Sequence, residues 1–286
     1  MFSYRHAFHA GNHTDVLKHT VLAHLLRYFA QKDKAFWYID TQAGPGGYDL
    51  RGDFARKSGE ALTGIARLWE SKDLPEGLEH YRQQVRAFNA AHGGGEAALR
   101  FYPGSPSIAA QMLRRQDRLR FFELHSTDSR ELIRAFAGQA PRVIAKSADG
   151  FAGMIALLPP TSRRGMALID PSYEDKGDYG RVIAALKGAL ERFATGTFMV
   201  WYPQVQRREA QQLPERLKRL QAKDWLHATL TVKAPARDGL GLHGSGIFIL
   251  NPPWTLPRML AEVLPWLKNV LGQDDNASFT LEETLR

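Results

Sequence analysis

The 286-residue chain has no cysteine. That excludes disulfides, zinc–thiolate sites, iron–sulfur clusters and thiol nucleophiles together. No run of about 18 predominantly apolar residues is present, the length a bilayer-spanning helix needs, so no membrane association is expected. The opening Met-Phe-Ser-Tyr-Arg-His carries no apolar core of a signal peptide, and a cytoplasmic protein is expected. Internal repeats and low-complexity tracts are also missing. A nicotinamide fingerprint fails: after Gly44 and Gly46 the third glycine position holds Asp49, and the next strand-ending acid is as distant as Glu123.

What is present is enough apolar material for a sizeable core, 44% hydrophobic against 24% charged residues. The length suits one large domain or one domain with an insertion. Lys plus Arg number 38 against 30 Asp plus Glu, a formal +8 that makes an anionic partner such as nucleic acid worth pursuing.

Apolar residues at three- and four-residue spacing predict a helix over 14–30, with Asn12 or Thr14 as N-cap. Ala35-Phe36-Trp37-Tyr38-Ile39-Asp40 predicts a buried strand that opens into the glycine-rich Gly44-Pro45-Gly46-Gly47. Helical spacing then runs over 48–98, which predicts a helical insertion between an N-terminal segment 1–47 and a remainder 99–286. Further strands are predicted near 119–124, 142–146, 165–170, 197–202, 230–233 and 246–250, with helices over 179–194 and 207–223. The alternation implies an α/β fold with a seven-stranded, mostly parallel sheet, its last two strands paired as a hairpin around 235–244.

Ligands of an open parallel sheet bind at the carboxyl ends of its strands, so the acids there are the first functional candidates. Asp40 with the glycine loop, Glu123, Asp149-Gly150 and Asp170-Pro171-Ser172-Tyr173 form such a set. A glycine loop admits a ligand to the backbone, and an acid after the second strand can accept both ribose hydroxyls. An Asp after the third can accept an adenine amino group. A nucleoside-containing cofactor is implied. Asp-Pro-Ser-Tyr suits methylation of an exocyclic amine, because Asp170 and the Pro171 carbonyl can accept the amine hydrogens and favour a more tetrahedral nitrogen. Tyr173 is expected to stack on the base, which must first be extruded from its helix. Asn251-Pro252-Pro253-Trp254 fits the same pattern but follows the last strand, away from the glycine loop, so Asp170 is preferred.

Five of the ten histidines fall within the first 24 residues, beside Tyr4, Arg5 and Lys18. Only Asp15 stands near His9 and His13 as an acid, so metal is set aside in favour of a cationic, aromatic segment over cofactor and base. Arg114, Arg115, Arg118, Arg120, Arg163, Arg164, Arg207 and Arg208 are candidates for a phosphate track.

The N-terminal Tyr4-Arg5-His6-x-Phe8-His9-Ala10-Gly11-Asn12-His13 and Asp15-Val16-Leu17-Lys18-His19 carry a resemblance, as do Tyr102-Pro103-Gly104-Ser105-Pro106, Glu123-Leu124-His125 and Ala148-Asp149-Gly150-Phe151. Ser162-Arg163-Arg164-Gly165 and Asn251-Pro252-Pro253-Trp254 extend it nearly end to end. In order and spacing the chain resembles the RlmJ family, bacterial 23S rRNA adenine-N6 methyltransferases. The resemblance implies a Rossmann-like class I methyltransferase fold with an inserted helical subdomain and S-adenosylmethionine as cofactor. It implies that His19, Gln42, Gly44, Ser105, Glu123, Asp149, Gly150 and Asp170 bind that cofactor, and that Asp170, Pro171 and Tyr173 form the catalytic motif. Tyr4, His6 and Lys18 match positions near the substrate. Ser172 stands where the family has Pro, and Gln42 where it has His. The expected partner is 23S rRNA and the expected state a monomer with no obligate protein partner. A DNA adenine-N6 methyltransferase and a noncatalytic nucleic-acid-binding protein linked to use of external DNA are the alternatives.

Overall fold

The structure is a computed structural model that describes residues 6–95, 98–239 and 241–285. After a 3-10 turn at His6–Phe8, helix α1 (His13–Ala30) starts where the Asn12 side chain accepts from the backbone N–H groups of Thr14 and Asp15 at 2.9 and 3.0 Å. This cap satisfies two of the orphan donors of the first turn. The helix is buried on nearly all sides, with Val16, Leu17, Val21, Leu22, Leu25 and Leu26 in the core.

Strand β1 (Trp37–Asp40) is followed by the short β2 (Gly47–Asp49), then α2 (Asp53–Ser58), a 3-10 turn at Glu60–Thr63, α3 (Ile65–Trp69) and α4 (Glu76–Ala91). The chain returns as β3 (Phe101–Pro103), antiparallel to β2 with Tyr48 opposite Tyr102. Residues 47–49 are therefore a strand, not the start of the helical run predicted from 48. Helix α4 buries Leu78, Tyr81, Val85 and Phe88 at the predicted spacing and ends before Gly93-Gly94-Gly95.

From there α5 (Ser105–Met112), β4 (Arg118–Glu123), α6 (Ser126–Ala135), β5 (Val143–Ser147), α7 (Gly150–Leu157), β6 (Gly165–Ile169), α8 (Gly177–Arg192) and β7 (Thr197–Gln204) alternate. They are followed by α9 (Arg208–Lys218), β8 (Trp225–Thr231), β9 (Gly244–Leu250), α10 (Leu256–Leu271) and β10 (Ser278–Glu283). The sheet order is β10-β8-β9-β7-β6-β1-β4-β5, parallel from β7 to β5 and antiparallel from β7 to β10.

The sheet thus has eight strands, one more than predicted. The extra strand is β10, an edge strand with only Phe279 and Leu281 as apolar signal, mostly exposed and pairing through its backbone with β8. The predicted hairpin of the last two candidate strands is present as β8 and β9, but β8 lies at 225–231 rather than 230–233. Its alternate positions Leu226, Ala228 and Leu230 are buried, while His227 and Thr229 break the apolar run on the other face. Strand order reverses at β1: the chain goes first to β4 and β5 on one side, then to β6 and β7 on the other. That puts the ligand crevice beyond the carboxyl end of β1. Among the described residues no helix is long and apolar enough to cross a membrane.

Candidate active site

One cavity opens at that crevice. Its walls include the β1 loop with Thr41, Gln42 and Gly44, Ser105 at the start of α5, Glu123 after β4, and Asp149-Gly150 after β5. Asp170, Pro171 and Ser172 after β6 close the far side, and His6, Lys18 and His19 cover it from α1 and the turn before it. Strand ends gather these residues because five parallel strands finish on the same rim.

At one end, the Lys18 ammonium lies between two carboxylates, 2.7 Å from Asp170 Oδ2 and 2.9 Å from Asp15 Oδ1. Its side chain is only 4% exposed. Burial works against the cation, but Asp15 and Asp170 outweigh it and hold its pKa above the usual lysine range. Asp15 Oδ2 meets His6 Nε2 at 3.0 Å and accepts from the Gly11 N–H at 2.9 Å. Burial pushes against the charged form of Asp15, yet His6 and Lys18 keep it well below the usual carboxylate range. Burial pushes Asp170 up despite the neighbouring Lys18. Asp170 Oδ1 has no protein hydrogen bond among the described residues, so one acceptor oxygen faces the cavity.

At the other end, Glu123 Oε2 accepts from Gly44 N–H at 2.8 Å and Oε1 from His125 N–H at 2.7 Å. Burial raises its pKa despite these two bonds. Gly44 adopts φ +62°, and a Cβ there would lie 2.7 Å from the Tyr48 hydroxyl. Asp149 caps α7 through Oδ1, which accepts from Phe151 N–H at 2.8 Å, while Oδ2 meets Arg181 at 2.9 Å. A Cβ on Gly150 would sit 1.8 Å from the Thr41 carbonyl oxygen, so only glycine lets α7 start this close to the β1 loop.

Between the two ends, Asp40 Oδ2 accepts from Ser105 Oγ at 2.7 Å and from Tyr38 Oη at 2.8 Å, whereas Oδ1 is buried without a partner. Burial pushes Asp40 up to about 7. His19 Nδ1 lies 2.8 Å from the Tyr102 hydroxyl, and burial brings its pKa down to about 3, which leaves a neutral ring. Gln42 Oε1 accepts from Asp170 N–H at 3.1 Å and from the Thr41 hydroxyl, tying the β6 end to the β1 loop.

These features fit a nucleoside-bearing, cationic ligand. A carboxylate already fixed by two backbone donors suits ribose hydroxyls, the glycine positions leave room at the backbone, and the Asp170 carboxylate and the acids beside it give the cavity negative character.

Of the residues that the resemblance implies for cofactor, catalysis or substrate, all line this cavity except two, while Asp40 from the strand-end set is fully buried and does not line it. Tyr4 is outside the described residues. Tyr173 requires a correction: at φ +55° its ring turns into the core, packed 4.6 Å from Tyr179 and donating its hydroxyl to the Trp201 carbonyl at 2.8 Å. At 2% exposure it offers no face to a base. Asn251 takes the opposite rim, since β9 runs antiparallel to β7 and ends beside Phe198 at the start of that strand. Its amide donates to Ala194 and Gly196 carbonyls, both at 2.8 Å, and accepts from Lys223 N–H at 3.2 Å.

The arginine candidates divide in the same way. Arg114, Arg118 and Arg164 sit near the amino ends of the strands and bond backbone carbonyls. Arg207 stands on the carboxyl side of the sheet, after β7, donating to the Tyr173 carbonyl at 2.9 Å. Sequence reading missed Asp15 as a site component. Its signal was the i, i+3 spacing to Lys18, which puts both on one helix face.

Comparison with known proteins agrees with this arrangement. The family described as "Ribosomal RNA large subunit methyltransferase D, RlmJ" matches residues 33–282. A protein of Escherichia coli (strain K12) named ribosomal RNA large subunit methyltransferase J is 45% identical over 95% of this chain and 94% of its own length. Its namesake in Haemophilus influenzae is 43% identical over 99% and 98%. The crystal structure of a Legionella pneumophila protein superposes with a TM-score of 0.86 at 34% identity, covering 96% of this chain and 98% of that one. With a family match over most of its length and full-length relatives above 40% identity, the chain belongs to the RlmJ family of ribosomal RNA large subunit methyltransferases.

Proposed function

We propose that the protein methylates N6 of one adenine in 23S ribosomal RNA, using S-adenosylmethionine and no metal, as a monomer in the cytoplasm. The observation that carries the reading is Asp170: a buried carboxylate after β6, held by Lys18 through one oxygen with the other open to the same cavity that Glu123 and Gly150 line. When bound, S-adenosylmethionine supplies a methyl carbon made electrophilic by a cationic sulfur.

The chain's own groups do the rest. Asp170 Oδ1 and the Pro171 carbonyl accept the two N6 hydrogens, which draws the nitrogen lone pair out of the ring and aims it for in-line attack. The proton released as the new C–N bond forms has Asp170 as its nearest acceptor. Glu123 holds ribose hydroxyls, and Asp149 with the N-terminus of α7 meets the adenine edge of the cofactor. His6 and Lys18 border the opening through which an extruded base enters, and the net charge of +8 favours an RNA partner. Stacking falls to a residue other than Tyr173.

The test is incubation with labelled S-adenosylmethionine and 23S rRNA fragments, with DNA as competitor. Label in N6-methyladenine of RNA is expected. Folded, cofactor-binding protein that leaves RNA unlabelled overturns the reading, and preferential labelling of DNA replaces the polymer.

A further inference from the structure

The carboxylate that sequence reading left unassigned, Asp15, is fully buried and does not line the cavity. Its oxygens are nevertheless spent on the site: Oδ1 on Lys18 at 2.9 Å, Oδ2 on His6 at 3.0 Å and on the Gly11 N–H at 2.9 Å. Lys18, in turn, reaches Asp170 at 2.7 Å and lies 5.6 Å from the centre of the Trp201 ring. The result is an alternating row of Asp15, Lys18 and Asp170 with two anions and one cation. Without Asp15 the row is a neutral pair, and the lysine would cancel the charge that Asp170 presents to the cavity.

A sulfonium ligand carries one more positive charge than the thioether left after methyl transfer. A row with one surplus negative charge therefore adds to the hold on the donor over the spent product, on top of what Glu123, Asp149 and the cavity's other acids contribute, whereas a neutral row adds nothing on charge grounds. Lys18 fixes one oxygen of Asp170, and Asp15 is the counterweight that keeps the row anionic while it does so.

Resting on the methyltransferase reading above, we propose that Asp15 is a positioning residue that anchors Lys18 at one Asp170 oxygen and keeps the row's surplus negative charge, which strengthens the site's preference for the sulfonium form of its cofactor over the thioether product. It acts through Lys18, touching no reacting atom.

The experiment is calorimetric titration of wild type, Asp15→Asn, and the double variant Asp15→Asn/Lys18→Met with S-adenosylmethionine and with S-adenosylhomocysteine, at pH 8. Asparagine is close in size and still accepts from Gly11, so shape is conserved. The ratio of the two affinities should fall about tenfold in Asp15→Asn, the scale of one unit charge acting across the site at an effective dielectric near 20. It should return to the wild-type value in the double variant, which removes one charge of each sign. A purely structural role weakens both ligands together and leaves the ratio unmoved; that result, or a double variant as poor as the single, overturns the proposal. Should Asp15→Asn fail to fold, Asp15→Ser takes its place, with the same fall in the ratio expected and an unmoved ratio overturning the proposal. Steady-state assays add a second readout: kcat falls in Asp15→Asn while KM for RNA holds. Failure of the wild type to bind S-adenosylmethionine would instead refute the underlying methyltransferase reading.

Discussion

Replacing Lys18 by methionine should convert the row of charges into a pH-dependent liability. At an effective dielectric near 20, the contacts of 2.7 and 2.9 Å each correspond to about 6 kcal/mol of attraction, most of it offset by desolvation of three buried charges. The net loss should be the about 3–5 kcal/mol typical of removing one partner from a buried ion pair. Methionine keeps the packing, so the cost is electrostatic. With the ammonium gone, Asp15 and Asp170 repel in a desolvated setting, and at least one of them takes a folded-state pKa above its unfolded value.

A carboxyl raised in this way is tolerated in the fold only while protonated. The variant therefore loses stability as pH climbs beyond the ordinary carboxylate range, by up to ~1.4 kcal/mol per pH unit for each such proton, until the folded form has ionised as well. In the wild type Asp15 behaves oppositely. Its pKa is depressed, so its contribution is present above the unfolded value and disappears only as pH falls below it. Urea unfolding at pH 5.5 and pH 8 should show a deficit for Lys18→Met that is larger at pH 8. A deficit of equal size at both values, or none, refutes the reasoning.

Asp170→Ala should abolish methyl transfer with the fold intact by circular dichroism; residual activity within tenfold of wild type would move the chemistry elsewhere. Asn251→Ala should cost about 2–3 kcal/mol in chemical denaturation, because two donors and an acceptor are lost at a residue with φ +52°, while methylation by the folded fraction persists. Loss of activity without loss of stability would contradict that assignment. Gly150→Ala sets a methyl carbon against the Thr41 carbonyl, and titration should find cofactor affinity reduced by more than tenfold; normal affinity would show that the β1 loop and α7 can separate. Asp40, raised to about 7, retains a proton in the fold that the unfolded chain has released, so it makes stability decline from about pH 4 to pH 7. Asp40→Asn should flatten that part of the urea-measured profile, and an unchanged slope would count against it.

The site was legible from sequence wherever a side chain follows directly from a strand end. Glu123, Asp149 and Asp170 each terminate or follow an apolar run, and parallel strands can only deliver such residues to one rim. Tyr173 was misread because its orientation depends on a positive φ that no spacing reveals. Asp15 was overlooked since Asp170, the carboxylate at the other end of its row, is remote in sequence, although Lys18 between them stands only three positions from Asp15. In the fold, β10 escaped notice because an edge strand facing solvent needs little apolar signal, and β2 because three residues are too few to display a period. The opposite fates of Asp170 and Asn251 followed from strand direction, which the hairpin at the end of the chain already dictated.

The two short strands that frame residues 50–100 also have a mechanical meaning. Gly47 continues straight from the turn that holds Gly44, Pro103 continues straight into Ser105, and Gly104 N–H donates to the Gly46 carbonyl at 2.9 Å. The helices from 53 to 91 are rooted in this two-stranded stem, whose ends run into walls of the crevice, and they also lie against α1, where Ile65 N–H donates to the Gly11 carbonyl at 2.8 Å and Glu60 meets His9 at 3.0 Å. A shift of these helices would therefore reach the crevice by both routes. An RNA partner that moved them would alter cofactor affinity, and the cofactor would then alter RNA affinity by an identical factor.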